Sequence, residues 1–517
     1  MAENNQEVKI KVPKFAGMEI PPELSKTNFF FMFFCTFIAG MFLSLPAVIQ
    51  PAFMTDIIKI DQAFSGSINS FLQIQSQVAT LFFVALIGAL SDRTGRKILA
   101  ILGFLLVAIA FYLFSASINI AEAFGIGNDT AATICAWLSF VPSKAAEFEQ
   151  FAPGLLVAYI IRFILGVGFI LVYPQFITMV ADYTYDKDRG KGMAANGMSM
   201  GLASILVFGV FGAIVKGSGV VVAIYVSAGM GVFAAILMSL FVKDRMPEKA
   251  AEKQGLMDVI PLVKESKALK AAYVCALITR ADVVVLATYL IAWGVKFGTA
   301  QGMETGKATL MATIPMMVMG VVSFVAFPVI GVMIDKKGRM PTLIVALFFA
   351  ALGMLLLGVA PSPFSPICFV AAAFAGIGLA GSIAGANTLA IDASPITMMG
   401  SIMGGLNTMQ PIGILFFLGL GGYLFDNVSP GSAFILKGVA TAGLLVWMFT
   451  IKDAVTKEIA PTFTMNWEDD AKKQMMKVPG GVRQGAIEGT EAYAQSEGIE
   501  TITLELCVKL KEMMDEG

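Results

Sequence analysis

The chain has 517 residues, of which 57% are hydrophobic and only 14% are charged, and its mean hydropathy is +0.78. Soluble globular chains are about 45–50% apolar and about 25% charged, so this composition excludes a disordered protein and argues against an ordinary cytosolic enzyme. The 36 Lys and Arg residues balance 37 Asp and Glu residues, which gives no electrostatic basis for binding nucleic acid.

The sequence contains no histidine, so histidine-ligated haem or zinc, a Ser–His dyad and a histidine proton shuttle are excluded. The five cysteines are scattered, and no two of them have the spacing of metal ligands. A Walker-type phosphate-binding loop is also absent from the sequence. We therefore expect a protein that is not an enzyme and that uses no cofactor and no metal.

Twelve apolar runs follow one another along the chain, each close to the roughly 20 residues that cross a bilayer. The runs lie at 28–50, 66–90, 98–119, 155–181, 192–215, 219–242, 270–294, 308–334, 341–360, 364–390, 397–423 and 431–451. They predict an all-α polytopic membrane protein with twelve transmembrane helices.

The basic residues predict the orientation of these helices. Of the 36 Lys and Arg residues, 28 fall in the two terminal stretches, in the central linker and in the loops after runs two, four and eight, whereas five fall in the other connections. Lys and Arg are concentrated in cytoplasmic connections, so both termini are predicted to be cytoplasmic, with the chain in the plasma (inner) membrane.

Internal repeats predict two pseudo-symmetric six-helix bundles. The connection GALSDRTGRK after the second run recurs 243 residues later as GVMIDKKGR, and the matched residues are Gly88, Asp92, Gly95 and Arg96 with Gly331, Asp335, Gly338 and Arg339. A second set recurs 210 residues later, with Gly166, Gly168 and Asp182 matched by Gly376, Gly378 and Asp392. Arg189 follows Asp182 by seven residues and has no counterpart in the second half, so asymmetric ion pairs are expected at the cytoplasmic ends.

These patterns divide the chain into five parts. They are a cytoplasmic N-terminal stretch at 1–26, a bundle at 27–242 with an external insertion at about 120–153, a cytoplasmic linker at 243–269, a second bundle at 270–452, and a cytoplasmic tail at 453–517. Within the tail, residues 499–513 alternate like a strand but also mark one face of a helix. We favour a helix that lies on the cytoplasmic face.

The two repeated connections, together with the run from Arg162 to Gly168, resemble the major facilitator superfamily (MFS) of secondary transporters over roughly residues 27–452. The resemblance implies the MFS fold and a solute site between the two halves, which open alternately to each side. The fifth run lacks the Gly-Pro pair of the family's antiporters, which argues against a typical proton-coupled drug exporter.

The resemblance also implies a gating role for ten residues: Gly88, Asp92, Gly95, Arg96, Asp182, Arg189, Gly331, Asp335, Gly338 and Arg339. Gly88 and Gly331 allow close approach of a neighbouring helix, and Gly95 and Gly338 suit turns with positive φ. Asp92 and Asp335 are expected to face the N-terminal ends of helices 11 and 5, near Met399 and Gly190, in the opposite half. In the alternative interpretation, the neighbouring basic residues only set the topology.

Ionisable side chains within the spans are the candidates for binding and coupling, because they are costly in a membrane. Arg162 lies in the fourth run, and Arg280 and Asp282 lie in the seventh. Asp282 is the only carboxylate deep in a run and is predicted to carry a proton, while the surplus of arginine favours a small organic anion. The alternative is an ion pair between Asp282 and Arg162 that serves assembly alone. Lys437 is expected to extend its amine to the membrane surface.

Asn387 and Gln410 are the preferred uncharged candidates for hydrogen bonding to a solute. The sequence therefore predicts a secondary active transporter, a proton-coupled symporter of a small organic anion. Its expected partners are the solute, the lipid bilayer and H+, without nucleic acid, and the expected state is a monomer. The alternatives are an exporter of amphipathic compounds or drugs and an MFS-like sensor or scaffold without transport.

Overall fold

The computed structural model describes residues 13–185, 188–245, 259–395, 398–476, 478 and 480–516. An antiparallel hairpin of β1 (Lys14–Phe15) and β2 (Met18–Glu19) precedes the first bundle. The helices of that bundle are α1 (Lys26–Phe53), α2 (Ser65–Thr94), α3 (Arg96–Ser115), α4 (Ser117–Ala123), α5 (Asn128–Leu138), α6 (Ala152–Tyr183), α7 (Arg189–Leu206), α8 (Gly212–Ser218) and α9 (Val220–Phe241). Short 3-10 turns at Gln62–Phe64 and Pro142–Phe148 and π-helical turns at Met54–Ile58 and Val207–Phe211 connect or extend them.

The second bundle contains α10 (Val259–Glu265), α11 (Lys267–Thr279), α12 (Asp282–Ala300), α13 (Thr305–Lys337), α14 (Arg339–Gly358), α15 (Pro366–Asp392), α16 (Met399–Asn427) and α17 (Ser432–Glu458). The chain then forms a small unit of β3 (Asn466–Trp467), α18 (Asp469–Met475), α19 (Gly480–Ser496), β4 (Thr501–Ile502) and α20 (Leu504–Glu516), in which β3 and β4 pair in parallel. Helical segments thus coincide with all twelve apolar runs of the sequence.

Eleven helical segments of the described residues are long and apolar enough to cross a membrane. α2 is 30 residues long, or about 45 Å, but it is not one of the eleven. The structure therefore confirms a polytopic helical protein, whereas a count of twelve spans stays a prediction.

The two halves repeat the same helix pairs. α6 packs on α2 and α3 in the first half, and α15 packs on α13 and α14 in the second. The repeated glycines lie at these contacts. A Cβ on Gly168 would lie 2.8 Å from Val107 of α3, and one on Gly378 would lie 2.6 Å from Ala350 of α14. Small residues allow this close packing in a membrane, so the repeat in the sequence is a repeat of helix contacts.

The bundle has two different ends. We call the end that carries the N-terminal hairpin, the linker and the C-terminal unit the terminal face, and we call the other end the opposite face. At the opposite face the two halves are joined by what we call the seal. Asp426 of α16 accepts hydrogen bonds from the amides of Gly66 (2.8 Å) and Ser67 (2.7 Å) at the start of α2, and Ser70 bonds Tyr289 of α12 at 2.8 Å.

Towards the terminal face, two polar side chains of α16 are exposed within the bundle. Asn407 and Gln410 are exposed although they lie eight and eleven residues into α16, or about 12–17 Å from its first residue. From polar side chains exposed at that depth we infer a cavity that opens to the terminal face, while the seal joins the halves at the opposite face.

The close approach predicted at Gly88 and Gly331 is not seen among the described residues. A Cβ at either position would meet no described atom within 4 Å. The side chains around Gly190 and Met399, where the opposite half was expected to approach, are not all described, so this approach stays a prediction. By contrast, Gly95 (φ 93°) and Gly338 (φ 90°) adopt the positive φ that was predicted for the turns into α3 and α14.

The C-terminal unit has a hydrophobic core of its own, formed by Trp467, Ala471, Met475, Ile487, Ala494 and Ile502, and its helix α19 contacts α15. The sequence did not predict this unit. The ambiguous stretch at 499–513 contains both a strand and a helix, because Thr501–Ile502 pairs with β3 before α20 begins at Leu504. The helix predicted for this stretch is therefore confirmed only from Leu504 onward, after a short strand.

A buried carboxylate organises this unit. Glu491 accepts hydrogen bonds from Trp467 Nε1 (2.8 Å), the backbone amides of Thr464 (2.7 Å) and Met465 (3.2 Å), and the Thr464 hydroxyl. Burial by itself raises the pKa of Glu491, but the donors outweigh it and hold the pKa below its ordinary value. A carboxylate with a lowered pKa stabilises the fold above its unfolded-state pKa, and this stabilisation is lost as the pH falls through the folded-state pKa.

We therefore expect the C-terminal unit to unfold in acid and to depend on Glu491. The fluorescence of Trp467, recorded in a variant with Trp137, Trp293 and Trp447 replaced by phenylalanine, should stay constant from neutral pH to about pH 5 and shift below about pH 4. Glu491→Gln should destabilise the unit by about 1–3 kcal/mol at neutral pH and weaken the acid transition. Equal stability of both proteins at pH 7 would contradict this role.

Candidate functional site

The seventh apolar run is not one continuous helix. α11 ends at Thr279 and α12 begins at Asp282, with a turn at Arg280 and Ala281. The carbonyl oxygen of Ile278 instead accepts a hydrogen bond from Lys437 of α17. Broken helices at the middle of a membrane bundle place charged groups and free backbone groups beside a solute path.

A buried ion pair holds this break. The Lys437 amine lies 2.7 Å from the Asp282 carboxylate, and the two side chains are 0% and 3% exposed. The same amine lies 4.2 Å from the centre of the Phe417 ring. Asp282 is in the first turn of α12, where the positive end of the helix dipole also favours a carboxylate.

One expectation and one alternative interpretation from the sequence are wrong here. Lys437 does not extend to the membrane surface, because the helix break provides both a carboxylate and a carbonyl that its amine can reach. Asp282 pairs with Lys437 and not with Arg162. Arg280 and Asp282 point to different sides of the break, since Asp282 contacts α17 whereas Arg280 contacts α15 and α16.

Arg280 lies at the end of the open cavity. Its guanidinium donates to the side-chain oxygens of Asn387 on α15 (2.5 Å) and Asn407 on α16. Its Nε is buried and has no hydrogen-bond partner among the described residues. Tyr173 of α6 lies within electrostatic range across the interface between the halves. Two neutral amides hold the guanidinium in place but leave its positive charge uncompensated.

Arg162 lies in a separate cluster in the first half. Its Nη2 donates to Gln73 of α2 (3.1 Å), which in turn donates to Gln50 of α1 (3.1 Å). The Arg162 side chain is almost fully buried, and its guanidinium lies 5.6 Å from the centre of the Phe169 ring. Within the described part of the chain, neither Arg162 nor Arg280 has a carboxylate within ion-pair distance.

The structure brings Arg280, Asn387 and Asn407 together, and it places exposed Gln410 on the same helix as Asn407, one turn further on. Arg162 is not part of that group. Nothing in the sequence pattern indicates that Gln50 ends the Arg162 cluster or that Asp426 is part of the seal. An acidic residue at the end of a helix is common, and only the fold reveals that Asp426 meets the start of α2.

The predicted gating residues form the same ion pair in each half. Arg96 lies 3.2 Å from Asp182, and Arg339 lies 2.5 Å from Asp392. The asymmetry expected from Arg189 stays a prediction, because the side chain of Arg189 is not described. In the first half, Asp244 additionally accepts hydrogen bonds from the backbone amides of Arg96 and Lys97, each at 3.3 Å. Each ion pair lies within its own half, near the terminal face.

The structure does not describe the side chains of three other predicted gating residues, which are Asp92, Arg189 and Asp335. Their predicted contacts with the ends of helices in the opposite half therefore remain predictions.

The family can now be stated from the comparison with known proteins. The model of the Major Facilitator Superfamily matches residues 32–369 and 302–479. The chain belongs to the Major Facilitator Superfamily. The nucleoside transporter NupG is similar in structure (TM-score 0.60, 12% identity) over 83% of this chain and 99% of that protein. A D-xylose–proton symporter is similar over 82% and 97% (TM-score 0.57, 15% identity).

Two relatives of similar sequence are magnetosome proteins of Paramagnetospirillum magneticum. MamH is 28% identical over 404 residues, which are 77% of this chain and 86% of MamH. MamZ is 26% identical over 424 residues, which are 80% of this chain but only 60% of MamZ. The chain thus spans about three fifths of MamZ. Family and fold together identify a multi-pass membrane transporter of some solute.

Proposed function

We propose that this protein is a secondary active transporter that carries a small organic anion by alternating access, in symport with protons. The observation that carries the proposal is the charge balance inside the bundle. Lys437 neutralises Asp282, so the positive charges of Arg162 and Arg280 are both left without a carboxylate partner among the described side chains. Uncompensated charge in a membrane is costly, and an anionic solute compensates it.

The Arg280 group is the proposed solute site. A guanidinium binds a carboxylate through two parallel hydrogen bonds, and Asn387 and Asn407 already fix its plane. The exposed amide of Gln410 supplies a further hydrogen bond to the solute. Depth in the bundle and exposure to the open cavity support this position, which a solute reaches from the terminal face.

The asymmetry between the two ends supports alternating access. The seal holds the halves together at the opposite face, while the terminal face is open. In the other state the seal separates and the terminal face closes. We propose that Asp92, Asp335 and Arg189, with the Arg96–Asp182 and Arg339–Asp392 pairs and their flanking glycines, then hold the terminal face shut. We also propose that this face is cytoplasmic, in the inner membrane.

The Asp282–Lys437 pair is the proposed proton site. Among the described residues, Asp282 is the one carboxylate buried in the middle of the bundle, and it is two residues from Arg280 across the helix break. Binding of a proton to Asp282 releases Lys437, whose positive charge then adds to the attraction of Arg280 for an anion. Departure of the anion favours loss of the proton and restoration of the ion pair.

Uptake into liposomes tests this function. Purified protein with a pH dye inside the vesicles is presented with a panel of small organic acids and, as the matched control, organic cations of similar size. We expect an organic acid to be taken up and to acidify the lumen, and the cations to have no effect. Transport of amphipathic cations alone, or of no compound at all, would contradict the proposal.

One alternative has a specific observation in its favour. The C-terminal unit is folded and contacts α15, as a sensor or scaffold without transport would require. Flux by a chain that lacks residues 461–517 separates the two functions. The transporter retains flux without the unit, whereas the scaffold has no flux with or without it.

A further inference from the structure

The cluster of Arg162, Gln73 and Gln50 has one direction of hydrogen bonding. Arg162 donates to the oxygen of Gln73, and the amide nitrogen of Gln73 donates to the oxygen of Gln50. Each amide is thereby oriented, with its oxygen already used. Within the described part of the chain, the groups of this cluster left without a partner are Arg162 Nε, Arg162 Nη1 and Gln50 Nε2, and all three are buried donors.

Only an acceptor satisfies these donors. Leaving buried donors unpaired costs about 1–3 kcal/mol for each group, and the cluster also carries one uncompensated positive charge. Water satisfies the donors but not the charge. A carboxylate satisfies both, because it accepts two parallel hydrogen bonds from the edge of a guanidinium.

The cluster lies directly behind the seal. Gln73 is three residues further into α2 than Ser70, whose hydroxyl bonds Tyr289 of the other half. Opening of the seal therefore exposes Arg162 to the opposite face. The cluster is also remote from the Arg280 group, because Tyr173, the α6 residue near Arg280, is eleven residues or about 16 Å along the helix from Arg162.

We propose that Arg162, Gln73 and Gln50 form a second anion site, which binds the carboxylate of the incoming solute when the seal opens and delivers it to Arg280. The role of this site in transport rests on the proposed function, whereas the experiment below measures anion attraction without transport. The solute path then has two positively charged positions in sequence, one accessible in each conformation. A single central site would place both arginines around the same anion.

The experiment measures the attraction of anions to Arg162 without requiring transport. Gln77, one turn beyond Gln73 on the same face of α2, is replaced by cysteine in a chain whose five native cysteines are replaced. Impermeant thiol reagents of similar size, one anionic (sulfonatoethyl) and one cationic (trimethylammonioethyl), are added at the opposite face of sealed vesicles. We expect the anionic reagent to react about tenfold faster or more.

Arg162→Gln should abolish this preference, Arg162→Lys should keep most of it, and Arg280→Gln, the matched control, should leave it unchanged. Arg162→Gln should also melt at the same or a higher temperature than the parent chain, because it removes an uncompensated buried charge. The second site would be overturned if the parent chain and Arg162→Gln showed the same preference for the anionic reagent, or if neither reagent reacted from this face. It would also be overturned if Arg162→Gln melted at a lower temperature while the preference stayed unchanged. Failure of anion uptake with the charge preference intact would overturn only the proposed transport.

Discussion

Replacement of Arg280 by glutamine is expected to lower the kcat/KM of organic anion uptake by at least about 100-fold. The guanidinium offers a carboxylate two charge-assisted hydrogen bonds, each worth about 1.5–3 kcal/mol, and glutamine offers neither the charge nor the paired geometry. A loss of about 2.7 kcal/mol already corresponds to 100-fold. Initial rates of labelled anion uptake in liposomes, at equal protein content, measure the effect.

Two further variants sharpen this test. Arg280→Lys keeps the charge but loses the planar pair of donors, so its activity should fall between those of the parent and of Arg280→Gln. Lys270→Gln removes a positive charge from an exposed position on α11, the helix that precedes Arg280, and should have little effect. Anion uptake by Arg280→Gln at the rate of the parent would exclude this site and would favour an exporter that does not depend on the arginine.

Separation of the Asp282–Lys437 pair is expected to be strongly destabilising. Asp282→Asn or Lys437→Met alone leaves an unpaired buried charge, which costs about 3–5 kcal/mol, whereas the double replacement removes both charges and should recover most of the loss. Thermal unfolding of the four proteins in detergent gives the coupling in a double-mutant cycle. Additive effects of the two replacements would show that the pair is not an energetic unit.

The same double variant tests the proton site. If it still takes up the anion, we expect the uptake no longer to acidify the lumen, because no carboxylate remains at the helix break to bind the proton. Acidification equal to that of the parent would assign proton binding to another group. Use of the double variant avoids the folding defect expected of each single variant.

The sequence was most informative where a feature is repeated. Gly166, Gly168, Gly376 and Gly378 recur at fixed spacing because the same helix pairs must approach closely in both halves. The positive φ of Gly95 and Gly338 could also be predicted, since few residues other than glycine adopt that conformation in a turn. These local requirements are independent of how the two halves are placed.

Features that depend on partners distant in the sequence could not be predicted from it. The break between α11 and α12 contains neither proline nor glycine, so the sequence predicts one continuous span there and places Lys437 at the membrane surface. The pair with Asp282 exists only because α17 passes that break. The core of the C-terminal unit is likewise not predicted from the sequence, because its residues meet only in the fold. Trp467, a large apolar residue within a polar segment, is the one sequence feature that indicates such a core.

Counterflow measures the alternating exposure of one solute path most directly. Liposomes that contain the purified protein are preloaded with an unlabelled organic anion, and the entry of the same labelled anion is followed without a proton gradient. We predict that preloading accelerates the entry and produces a transient accumulation of label, because the loaded protein returns to the outside faster than the empty one. Entry at the same rate with and without preloading would contradict alternating access.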